Sequence, residues 1–135
     1  MFKLKKIITS GVNVPEPEII AAEGSYCLAA GAALVLQENI LIFGNQDQKP
    51  THITLQNMNE DDYRALCYKI TPNMVFEVEV IGENIAGISK GSKLCLYNTA
   101  YGYTALSDET ENGVATVYDR NNAKKSGDTM YVTFE

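Results

Sequence analysis

Apolar and polar side chains alternate most cleanly over residues 75–81. Phe76, Val78 and Val80 fall on one side and Glu77 and Glu79 on the other, the two-residue period of a strand with one buried face. Short apolar runs recur at 25–31, 32–36, 40–43, 51–55, 64–70, 93–97, 101–106, 114–118 and 129–134, divided by breaks rich in Gly, Asn and Asp. Val, Ile, Thr, Tyr and Phe crowd these runs, and the spacing predicts the strands of a small barrel or sandwich. The Ala-rich stretch 28–36 has helical propensity, but Gly24 and Gly31 bracket it and leave it short for a stable helix. It is predicted as two strands around a glycine turn. The pattern as a whole predicts an all-β fold, a single β-barrel domain over 24–135.

Residues 1–23 differ. Ile7, Ile8, Val12, Val14, Ile19 and Ile20 are apolar but spread out, and Pro15 and Pro17 punctuate them. Full burial of these side chains is worth roughly 9–18 kcal/mol. Ordering the backbone from 7 to 20 costs on the order of 14–28 kcal/mol. The segment therefore needs surface from elsewhere, and the prolines bias it to an extended path away from any central strand. It is predicted to be an extended N-terminal arm that adds a strand to a neighbouring subunit or partner, with those six residues as the contacts. The competing expectation is an ordinary first strand on its own barrel.

Bulk properties narrow the partners. The chain has 135 residues, 45% hydrophobic, with a net charge of −6. That length suits one domain with a real core. The acidity disfavours a nucleic-acid groove, which needs a basic stripe; the basic clusters are confined to Lys3, Lys5, Lys6 and to Lys124, Lys125. No apolar run approaches a membrane span, and the apolar part of the first residues is too short for a secretory leader. Cys27, Cys67 and Cys95 each sit within apolar strand-like runs. They are expected to be reduced core residues of a protein made in a reducing cytoplasm.

Candidate chemistry is sparse. His52, the single histidine, sits in an alternating run without Cys, His or Asp at metal-ligand spacing, so no metal or cofactor is expected. A Cys–His nucleophile pair would need the fold to bring His52 to a thiol. Glu77 and Glu79 share a strand face, which alternate strand residues do by default. The acidic groups at 60–62 and 108–111 lack calcium-loop spacing, and no phosphate-loop or nucleophile-elbow motif occurs. No enzymatic activity is expected. Tyrosine is enriched, with eight copies and no tryptophan. Tyr97, Tyr101 and Tyr103 lie close enough in sequence to line a shallow sugar- or protein-binding surface.

The stretches AAGAALVLQENILIFGNQDQKPTHITLQN, VFEVEV, GISKGSKLCLY, NGVATVYD and GDTMYVTFE together resemble, in layout, the head-decoration proteins of tailed bacteriophages. The likeness covers residues 25–135. It implies a compact β-barrel or β-tulip domain on the outside of an icosahedral capsid, bound to the major capsid protein, often as a homotrimer, and reinforcing the mature head. It also implies synthesis in the bacterial cytoplasm and a final location on the virion exterior. The arm residues Ile7 to Ile20 would clamp a capsid subunit. Two further expectations compete: another minor virion protein of the tail or head fibre, and a non-viral β-barrel module for a carbohydrate or small ligand.

Overall fold

The computed structural model describes residues 1–8, 16–22, 29–43, 45–59, 63–98 and 104–134. Twelve strands occupy them: β1 (Lys3–Ile7), β2 (Glu18–Ala21), β3 (Ala33–Gln37), β4 (Ile40–Ile42), β5 (His52–Thr54), β6 (Arg64–Lys69), β7 (Met74–Ile81), β8 (Lys93–Leu94), β9 (Leu96–Asn98), β10 (Thr104–Ser107), β11 (Ala115–Asp119) and β12 (Thr129–Thr133). One 3-10 turn, Ile85–Gly87, interrupts them. The all-β expectation holds, but as two open sheets instead of a closed barrel.

The large sheet runs β8-β11-β12-β7-β10-β9, with β1 also on β7. The alternation in β7 explains its central place. Met74, Phe76, Val78 and Val80 enter the main core, while Glu77 and Glu79 stay half-buried on the outer face. Antiparallel β12 takes one edge of β7. The other edge is divided between antiparallel β1, at Met74 to Glu77, and parallel β10, at Val80 and Ile81. Backbone parity agrees: the Val80 N–H donates to the Asp128 carbonyl, whereas the Ile81 carbonyl accepts from Asp108 on the opposite side.

The small sheet runs β2-β6-β5-β3-β4 and is antiparallel throughout. The β3–β4 hairpin turns on Glu38 and Asn39, both at positive φ (53° and 67°), as a two-residue turn matched to strand twist requires. The sheet curls until Ala22 and Leu41 form one isolated parallel bridge between its ends. Ala33 and Ile53 face the main core, while Leu34, Leu41, Met58, Ala65 and Cys67 form a second core on the other face. A side-chain bond joins the sheets: the Ala33 N–H donates to Thr104 Oγ1 at 3.0 Å.

The expected arm is corrected in its described parts. Residues 1–8 and 16–22 do not stand apart from a body at 24–135; β1 pairs with β7 and β2 with β6 of the same chain. Phe2, absent from the apolar inventory that made the segment look weak, supplies the missing anchor. It is buried and packs against Phe76 and Phe134 at ring-centroid distances of 6.1 and 5.5 Å. Its N–H donates to the Gly31 carbonyl. Gly31 sits at φ +83°, and a Cβ there would lie 2.7 Å from the Phe2 oxygen, so only glycine lets the first residues approach this closely.

Candidate binding site

The expected contact residues scatter. Ile7 is half-buried opposite Met74. Ile8 is exposed and its N–H donates to the Asn73 carbonyl. Ile20 is half-buried against the second core. Ile19 points to solvent, 68% exposed. Val12 and Val14 lie outside the described residues. So do Tyr101 and Tyr103, which leaves Tyr97, exposed on β9, as the described member of the expected tyrosine surface.

Among the described residues the buried titratable groups form no reactive pair. His52 and Cys67 lie on the same face of the small sheet, since His52 opposes Lys69 and Thr54 opposes Cys67. Both are almost wholly buried. The His52 Nδ1 is 2.7 Å from Thr51 Oγ1. Burial holds its pKa below the usual value, with Glu18 opposing and Lys69 reinforcing the shift. Burial, and then Glu18, push the Cys67 thiol up to about 11, and its S–H donates to the Glu18 carbonyl at 3.5 Å. Burial raises Cys95 as well, with Glu109, Asp47 and Glu111 adding to it. A nucleophilic cysteine needs the reverse, a lowered pKa and access to solvent. Among the described residues no group of three or more His, Cys, Asp or Glu could hold a metal ion.

The built feature of the surface is a cleft on the outer face of the large sheet. Its walls are Lys5, Lys6, Tyr118, Asp119 and Tyr131, with Val75 beneath, around about 240 Å³. Strand register assembles it: Lys6 opposes Val75 across β1 and β7, and Tyr131 lies between Glu77 of β7 and Asp119 of β11. Val75 is only 1% exposed although it faces away from the main core, because the cleft's side chains cover it. Lys6 Nζ lies 4.8 Å from the Tyr118 ring centroid and Lys90 Nζ 5.9 Å, both within reach of the negative ring face. Lys5 Nζ ion-pairs with Glu77 at 3.5 Å. The Asn121 N–H donates to Asp119 Oδ1 at 2.8 Å, leaving Oδ2 for another donor.

A second cleft of similar size lies between the first residues and the small sheet, bordered by Phe2, Leu4, Gly31, Ile53, Leu55 and Tyr68. It is mainly apolar, with Lys3 and Thr54 also on its border. The basic cluster at Lys3 to Lys6 was legible in the sequence, but nothing there linked it to Tyr118 and Tyr131, more than a hundred residues away. No family model matches this chain, and no curated protein is detectably similar to it. What fold and site together define is a small all-β protein with a surface cleft and two buried thiols, Cys67 and Cys95, whose pKa values are raised; Cys27 lies outside the described residues.

Proposed function

We propose that this chain is a structural decoration protein of a tailed-phage capsid, binding the outer surface of the major capsid lattice and reinforcing it without catalysis. The observation that supports the reading best is the edge strand β2. It ends the small sheet, and among the described residues its outer edge is bonded only at the terminal Ala22–Leu41 bridge. On β2 Ile19 is 68% exposed, and Tyr63, one strand inward across from Ala22, is equally exposed. A free edge strand that exposes a large apolar side chain is a template for strand addition. A clamp of this kind requires added backbone bonds and apolar area repeated over a lattice, and no acid, base or metal. Docking then falls on the folded edge of the small sheet, not on a free arm.

Co-sedimentation with expanded shells of the major capsid protein from the same virion tests this. The wild type is expected to pellet with shells. Ile19→Asp and Tyr63→Ala, both at exposed positions, are expected to melt as the wild type does and stay in the supernatant. Failure of the wild type to bind shells overturns the decoration reading; undiminished binding by both variants overturns the β2 docking edge.

A further inference from the structure

The free edge of β1 opens onto the second cleft. Odd-numbered residues of β7 turn their backbone groups toward β1 and β10, as the Ile81 carbonyl shows. Lys3 and Lys6, which oppose Glu77 and Val75, therefore carry the ladder bonds, and Leu4 and Ile7 direct their N–H and C=O away from β7. Two bonds agree with this parity. The Phe2 N–H, two residues before Leu4, reaches the Gly31 carbonyl on the far side, while the Ile8 N–H donates back to Asn73. Among the described residues β1 pairs with β7 alone, and no group bonds the amides of Leu4 and Ile7. Gly31 stands on that far side and borders the cleft together with Leu4, Ile53, Leu55 and Tyr68.

An unpaired edge beside apolar walls is built to receive an extended chain. A strand laid on β1 places the side chain opposite Leu4 on the same face as Leu4, toward the cleft, and turns its two neighbours to the outer face. The cleft encloses about 240 Å³, the liquid volume of roughly eight waters, which is room for an aliphatic side chain. The outer face of β1 is cationic in an otherwise acidic chain, with Lys3, Lys5 and Lys6 all exposed. Glu77 neutralises Lys5; Lys3 and Lys6 have no carboxylate partner among the described residues. Opposite charges stabilise a cross-strand pair and like charges destabilise it. A second copy adding through its own β1 sets lysine against lysine, the usual protection of an edge strand against self-association. A strand with carboxylates on its outer face answers the same lysines instead.

We infer that β1 binds an extended peptide in which acidic and aliphatic residues alternate, taken up as an added strand. Its backbone bonds the free amide groups of Leu4, an aliphatic side chain enters the cleft, and the flanking carboxylates lie on the outer face beside Lys3 and Lys6. The inference is independent of the capsid reading, since neither β2 nor Tyr63 borders this cleft.

Isothermal titration of the full chain with acetylated, amidated peptides TEVEVET, TKVKVKT and TEGEGET tests it. The first is expected to bind saturably and to weaken with added salt. The basic peptide and the glycine peptide are each expected to bind at least tenfold more weakly. The double variant K3Q/K6Q, both positions exposed, is expected to melt as the wild type does and to lose at least tenfold in affinity for TEVEVET. Hydrogen exchange followed by nuclear magnetic resonance locates the contact: the Leu4 amide is expected to exchange at least tenfold more slowly at saturation. Absence of TEVEVET binding overturns the inference, and so does equal binding of TKVKVKT or TEGEGET. A K3Q/K6Q variant that binds like the wild type, or a Leu4 amide that exchanges as fast with peptide as without, moves the contact off β1 and overturns it too. Protection of the Leu4 amide that rises with concentration of the free chain puts a second copy on this edge in place of the acidic peptide.

Discussion

The ring of Phe2 meets the ring of Phe76 edge-on, at a centroid distance of 6.1 Å and an interplanar angle of 87°. Phe134 closes the group, 5.9 Å from Phe76, so the second residue of the chain and the last of the described residues meet in the middle of one core. Edge-to-face pairs of this kind add to the burial energy of the rings.

Loss of that anchor should be severe. Phe2→Ala is expected to lower the unfolding free energy by about 3–5 kcal/mol, the range for deleting a buried phenyl group. That is a large part of the 5–15 kcal/mol typical of a domain. Deleting residues 1–8 is expected to destabilise the protein further, because β7 then loses β1 as well. Urea unfolding followed by circular dichroism measures both. A deletion that melts like the full chain would return these residues to the status of a detachable arm.

The bond between Ala33 N–H and Thr104 Oγ1 joins the two sheets, and Thr104 is fully buried. The hydroxyl in turn donates to Asn98 Oδ1 at 3.2 Å. Thr104→Val keeps the shape and removes both bonds, leaving a buried N–H unpaired at a cost of about 1–3 kcal/mol. Thr104→Ser keeps the hydroxyl and is expected to cost less. Equal losses in urea midpoint for the two variants would show that the methyl group, not the bond, matters at this position.

His52 makes stability depend on pH with a definite sign. Its folded pKa lies below the ordinary 6.5 because burial disfavours the charged ring, an effect only partly offset by Glu18. Between the two values the unfolded chain binds the extra proton. The stabilisation of the neutral ring is thus complete above pH 6.5 and is lost as pH falls below it, at a slope of at most about 1.4 kcal/mol per pH unit. The unfolding free energy is expected to drop from pH 7.5 to 5.5, and His52→Gln is expected to flatten that drop. A variant with the same pH profile as the wild type would assign the dependence to other groups.

Strand identity and burial followed from local pattern. The alternation over 75–81 marks β7 as a half-buried strand whatever it pairs with, since successive side chains must face opposite sides. The apolar character of Cys67 and Cys95 foretold their burial in the same way. Glycine at position 31 was legible as a turn, although its second duty, clearing space for Phe2, was not. Pairing partners were out of reach, because register across a sheet is set by contacts between residues far apart in the chain. Residues 1–8 illustrate this. Judged on their own side chains they cannot order themselves, and only the free edge of β7, the carbonyl of Gly31 and the space beside Phe134 make a strand of them. The outer-face cleft is of the same kind. Lys6, Tyr118 and Tyr131 lie on three strands, each an ordinary surface residue by its local sequence. They become neighbours because β1, β7, β12 and β11 pair side by side, and backbone hydrogen bonding holds them there.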